Sequence, residues 1–188
     1  MSKMLTVPNG LTFMRALGIP VFLYLALGPH ADIWAVVVLS IGGATDYFDG
    51  KIARAWNQTS RFGEIADPTI DRMYILAVLI ALYIRDAIPL WLVVVIVGRD
   101  LFLALVTIDL KRRKESLLTV TFAGKAATFN LLYAFPFLLL ALQRSLFGTI
   151  CFIIGWSFAL WGIGLYLATG WTYARTGLKR AQPRVKDF

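Results

Sequence analysis

Six long apolar runs, separated mostly by short polar or Gly/Pro-containing segments, organise this chain. They cover about 8–27, 31–50, 66–84, 88–108, 126–143 and 147–169. Each is close to the roughly 20 residues a helix needs to cross a bilayer, where a helix satisfies its own backbone hydrogen bonds. The turn Gly28–Pro29–His30–Ala31–Asp32 and the link Arg85–Asp86–Ala87 are both tight. The pattern predicts an all-α integral membrane protein with six transmembrane helices, forming a single domain over 1–188. No internal repeat or low-complexity tract interrupts it. The first apolar run leads into a multi-span body, so it reads as the first span and not as a cleavable signal.

Composition supports the membrane reading. Of 188 residues, 59% are hydrophobic and 16% are charged, against about 25% charged in ordinary soluble domains. The mean hydropathy is +0.70. A disordered chain is excluded and a soluble globule disfavoured. The net charge is +8, but the basic residues fall between apolar runs. An anionic lipid surface is therefore the expected partner, and nucleic acid is not. One side carries Lys3, Lys51, Arg54, Arg61, Lys111, Arg112, Arg113, Lys114 and Lys125, and the tail adds Arg175, Lys179, Arg180, Arg184 and Lys186. The other side offers only Arg85 and Arg144 in its short loops. This bias, with an even number of spans, predicts both termini in the cytosol. Cys151 is the only cysteine and reads as a small buried hydrophobe.

Hydropathy alone leaves a transporter, a channel and a lipid enzyme open, so the polar residues must decide. Asp46 and Asp49 are spaced to share a helix face at the end of the second run. Asp67 and Asp71 do the same at the start of the third. Consecutive antiparallel helices would bring the four carboxylates together, where they repel unless a cation sits among them. Oxygen ligands without nearby Cys or His suit Mg²⁺ or Mn²⁺, and four carboxylates are enough for two ions. Two metals are a natural clamp for pyrophosphate chemistry. Gly50 and Gly63 keep the backbone low where a nucleotide approaches. Ala53 is small on the same helical side, and Arg54 can pair with phosphate. An acidic ring also serves cation channels, but a channel does not need this asymmetric gap.

These residues resemble the CDP-alcohol phosphatidyltransferase family. Its motif, D-x2-D-G-x2-A-R-x8-G-x3-D-x3-D, is matched at every fixed position by Asp46, Asp49, Gly50, Ala53, Arg54, Gly63, Asp67 and Asp71. The resemblance implies transfer of a phosphatidyl or similar group from a CDP-linked donor to an alcohol, with release of CMP. It implies that the four Asp bind the divalent ions and that Asp71 also acts as base. It places Gly50, Ala53, Arg54 and Gly63 at the cytidine diphosphate, with Asn9, Thr12 and Arg15 near the nucleotide. It further implies a homodimer in a bacterial cytoplasmic membrane. A non-catalytic lipid-binding or transport protein on the same scaffold is the competing class, and the complete motif argues against it.

Two acceptors come into question. Glycerol 3-phosphate would give phosphatidylglycerol phosphate, and phosphatidylglycerol would give cardiolipin. Arg99, near the middle of the fourth run, and Lys125, before the fifth, are the candidate acceptor ligands. A mid-span arginine is costly and usually functional, though pairing with the adjacent Asp100 is an alternative. Glycerol-phosphate members commonly carry Lys where this chain has Arg72, and further cations near Arg99 and Lys125. Fewer cations suit a singly charged phosphodiester lipid. The stretches Thr6–Asn9 and Gly124–Pro136 also look like actinobacterial members of the family that form cardiolipin. Phosphatidylglycerol is thus the expected acceptor and glycerol 3-phosphate the alternative. Pro20 and Pro136 are expected to adjust their spans, and Gly162–Gly164 to allow close packing or dimerisation. His30 is expected to have no chemical role.

Overall fold

In the computed structural model the chain forms six helices. These are α1 (Val7–Leu27), α2 (Asp32–Ala55), α3 (Arg61–Ile84), α4 (Leu90–Arg112), α5 (Phe122–Leu140) and α6 (Leu146–Ala181). The structure describes residues 7–55, 61–112 and 121–181, with side chains described for 10, 12–45, 69–112 and 121–175. Every expected apolar run has become a helix. Several helices outrun their runs, most clearly α2 to Ala55, α3 from Arg61 and α6 to Ala181. Hydropathy marks the apolar stretch, whereas the helical backbone ladder runs on into polar sequence, past Gly50 in α2 and through Gly63 and Pro68 in α3.

Among the described residues, α4, α5 and α6 contain helices long and apolar enough to cross a membrane. Shorter apolar stretches lie at Thr12–Leu27 and Asp32–Thr45. Large apolar side chains cover the outside, including Phe13, Tyr24, Trp34, Trp91, Leu105 and Trp161. A surface this apolar belongs in lipid.

The helices close into a ring in the order α1, α2, α5, α6, α4, α3, each packed on the next, and α3 also meets α5 across the middle. Small residues permit the tight contacts. A Cβ at Gly162 would stand 3.1 Å from Asn130 Cβ, so this glycine seats α6 on α5 within the chain. Gly164 faces open space. The core runs through Phe22, Leu39, Val78, Leu82, Ile96, Leu131 and Leu138.

The three turns at one end are short. Here Arg85 and Asp32 form an ion pair in which both side chains are largely buried, 12% and 7% exposed. It ties the end of α3 to the start of α2. Asp86 takes a left-handed conformation (φ 54°). Its N–H donates to Tyr83 O and that of Ala87 to Leu82 O, which closes the C-terminus of α3. His30 also has positive φ, 55°. The opposite end holds the C-terminus of α2, the N-terminus of α3 and the acidic motif.

Candidate active site

All four motif aspartates lie on helices, Asp46 and Asp49 on α2 and Asp67 and Asp71 on α3. Asp71 is the member whose side chain is described. The side chains of Asp46, Asp49 and Asp67, and whatever those of Asn9, Ala53 and Arg54 contact, lie outside the described residues, as do the surroundings of Gly50 and Gly63.

Asp71 faces the centre of the ring. Its side chain is 45% exposed, and its Oδ1 is 3.1 Å from Nη1 of Arg15, which is 2% exposed. Thr12, also buried, lies one turn earlier on α1. A guanidinium this deep in an apolar bundle is tolerable because a carboxylate shares its charge. One turn along α3, the Tyr74 ring is wedged between α1 and α2. A Cβ at Gly18 would meet its hydroxyl at 2.6 Å, and one at Gly42 at 3.0 Å. Only glycine at both positions lets α1 and α2 approach the tyrosine this closely.

Asp71 and Arg15 stand at a cavity of about 400 Å³ to which every helix contributes. Its polar part also includes Arg72 and Tyr166, and the rest is mainly apolar, with Leu39, Ile75, Val78, Ile96, Leu131 and Phe135. Gly43, Thr128 and Leu132 line it on the α2–α5 side and are exposed at the surface.

Next to Asp71 on α3, Arg72 leads to Asp100 of α4, which gathers three donors. Arg72 donates to its Oδ2 and the Tyr166 hydroxyl to its Oδ1. Arg99 Nη1 lies 3.2 Å from Oδ1. The Arg99 guanidinium also stacks on Tyr166, 4.0 Å from the ring centroid, and Nη2 reaches Thr169 Oγ1 at 3.5 Å. A Cβ at Gly170 would lie 3.3 Å from Arg99 Cγ, so α6 closes behind this side chain. Arg99 is thus held by its neighbours, with Tyr166 between it and the cavity.

Lys125 is exposed in the first turn of α5. It does not line the cavity, but Thr128 and Leu132 follow it on the same helical face and do. The start of α5 is fixed from α6. The Thr121 N–H donates to the Tyr173 hydroxyl at 2.7 Å, which also lies 3.0 Å from Thr121 Oγ1. Thr121 in turn caps the helix by accepting from the Gly124 N–H. Sequence reasoning missed Tyr74 and Tyr166, because a tyrosine in an apolar run has no local mark separating a site residue from a core residue; Tyr173, which reads from sequence as an interface anchor, is buried and holds the start of α5.

A ring of apolar helices with a carboxylate and guanidinium groups at an internal cavity defines a multi-pass membrane protein with a polar site within its bundle. Sequence comparison makes the class specific. The model of the CDP-alcohol phosphatidyltransferase family matches residues 5–161, and the chain belongs to that family of membrane enzymes. It is 44% identical over 176 residues to a cardiolipin synthase (CMP-forming) of Streptomyces coelicolor, covering 91% of this chain and 82% of that one. It is 40% identical over 187 residues to a putative cardiolipin synthase of Mycobacterium tuberculosis, covering 98% and 90%. A CDP-diacylglycerol–glycerol-3-phosphate 3-phosphatidyltransferase of Bacillus subtilis is 29% identical over 184 residues.

Proposed function

We propose that this chain transfers the phosphatidyl group of CDP-diacylglycerol to phosphatidylglycerol, giving cardiolipin and CMP. The observation that carries the reading is the position of Asp71, half exposed at a mainly apolar cavity in the centre of the helix ring. Both proposed substrates are lipids whose reacting groups sit at the headgroup level, and a carboxylate there can meet them while their chains stay in an apolar setting. The exposed Gly43, Thr128 and Leu132 leave the α2–α5 side of the cavity in reach of bilayer lipid.

In this mechanism the terminal hydroxyl of phosphatidylglycerol attacks the donor phosphorus nearest the diacylglycerol. The new P–O bond forms as the bond to CMP breaks, and Asp71 takes the hydroxyl proton. No side chain is assigned as covalent nucleophile, so the transfer is a direct displacement. Arg15, at 3.1 Å, holds the Asp71 carboxylate in place from the buried side. Gly50, Ala53, Arg54, Gly63, Asn9 and Thr12 are assigned to the cytidine diphosphate.

The donor set fits a divalent metal. Asp46, Asp49, Asp67 and Asp71 offer only carboxylate oxygens, and the one described, Asp71, is accessible. When bound, Mg²⁺ or Mn²⁺, in one or two ions, supplies positive charge to the donor pyrophosphate.

All six helices are taken to span the bacterial cytoplasmic membrane, with both termini and the site on the cytosolic side, following the basic bias. A homodimer associated with anionic lipid completes the reading. The test is CMP release by the purified chain with CDP-diacylglycerol and Mg²⁺ or Mn²⁺, with phosphatidylglycerol, glycerol 3-phosphate or inositol phosphate supplied separately. Turnover with phosphatidylglycerol is expected. Turnover with glycerol 3-phosphate alone overturns the acceptor assignment.

A further inference from the structure

We infer that Arg72, held by Asp100, is the residue that binds the single phosphodiester charge of the acceptor lipid. The inference rests on the reading above and extends it to how one acceptor is chosen over another. Arg72 follows Asp71 on α3, and both line the cavity. Its side chain is 57% exposed, although Nη1 is engaged by Asp100. A guanidinium has five N–H donors in a planar fork, so an arginine fixed through one nitrogen keeps others for an incoming anion.

The surroundings set how much charge it offers. Asp100 is 17% exposed and accepts from Arg72, Arg99 and Tyr166. Among the described residues, two guanidinium groups and one carboxylate leave this cluster one positive charge. The Arg15–Asp71 pair beside it adds none. A phosphodiester brings one negative charge, whereas a phosphomonoester brings about −1.5 to −2 at neutral pH. The surplus on this wall therefore balances a phosphatidylglycerol headgroup and leaves glycerol 3-phosphate undercompensated.

The division of labour between the two arginines follows from Tyr166. Its ring lies between Arg99 and the cavity, and its hydroxyl closes on Asp100. Arg99 therefore acts from behind, holding Asp100 in place, and Arg72 meets the ligand. Asp100 is a positioning residue.

The test compares CMP release by the wild-type chain, Arg72→Gln, Arg72→Lys and Asp100→Asn, titrating each acceptor at saturating CDP-diacylglycerol. Arg72→Gln is expected to raise the KM for phosphatidylglycerol roughly tenfold or more, the range for a lost charge-assisted hydrogen bond, with kcat changed far less. Arg72→Lys is expected to recover part of that loss. Asp100→Asn adds one positive charge, so the ratio of kcat/KM for phosphatidylglycerol to that for glycerol 3-phosphate is expected to fall. A merely structural role would lower both acceptors together and leave the ratio fixed. Wild-type turnover with an unchanged phosphatidylglycerol KM in Arg72→Gln overturns the inference while leaving the proposed reaction standing. Wild-type protein inert toward phosphatidylglycerol overturns the proposed reaction, and the inference with it. If Arg72→Gln does not fold, the acceptor ratio of Asp100→Asn decides, and an unchanged ratio overturns the inference.

Discussion

At the far end of the ring, Asp32 and Arg85 are buried, matched one to one and enclosed by short turns. At the site end, Asp71 is half exposed, its partner Arg15 is buried, and Arg72 is exposed while held by a carboxylate with two further donors. Both ends use the same residue types. The far end spends them on closing the bundle, because a matched buried pair has no capacity left for a ligand. The site end keeps charge in excess of its own pairing, as a surface must if it is to bind ions and phosphates. A charged residue in a membrane protein is thus informative through its surplus more than through its presence.

The comparison can be broken by substitution at either end. The largest effect is expected from Asp71→Asn, which should lower CMP release by roughly 10²–10⁴-fold, the usual worth of a general base. Because Arg15 then stays buried without the full carboxylate charge, the unfolding midpoint should fall as well, so turnover is read per folded molecule. At the far end stability alone should respond. Asp32→Ala leaves Arg85 buried without its partner and should cost about 3 kcal/mol of stability, read as a lower midpoint, with turnover per folded molecule intact. The pair Asp32→Leu with Arg85→Met should recover most of that loss, since replacing both partners of a buried pair is often neutral.

Two smaller effects sharpen the boundary between site and scaffold. Gly18→Ala drives a methyl into the Tyr74 hydroxyl and should cost about 1–3 kcal/mol through overpacking. Adding Tyr74→Phe should restore part of it, and a double-mutant cycle of detergent-solubilised protein measures the coupling. The smallest effect is expected from Tyr173→Phe. Losing the hydrogen bond to the Thr121 N–H should cost about 1 kcal/mol, seen as faster amide exchange in the first turn of α5.

The helices were legible because each contains a long apolar run. Their ends were not, since α2, α3 and α6 run on into polar sequence beyond those runs. The acidic motif was legible because its spacings are local, within one turn of a helix. The Asp100 cluster was not. Arg72 lies 28 residues from Asp100, and Tyr166 lies 66 residues away, so the ring order of the helices, which no local pattern encodes, brings them together. Arg99 shows the same limit. Sequence marked it as a costly mid-span charge with two possible partners, and the fold placed Asp100, Thr169 and Tyr166 around it. Tyr74 depends in the same way on glycines from two other helices.

The sixth helix has a consequence for timing. Tyr166 completes the Asp100 cluster and Tyr173 fastens the start of α5, yet both are synthesised only after α1–α5. The first five helices carry the acidic motif together with Arg72, Arg99 and Asp100, while the Tyr166 hydroxyl is still missing from the cluster. A nascent chain therefore lacks the finished cluster until α6 docks, and truncation ahead of Tyr166 leaves Asp100 without that donor and touches no motif residue.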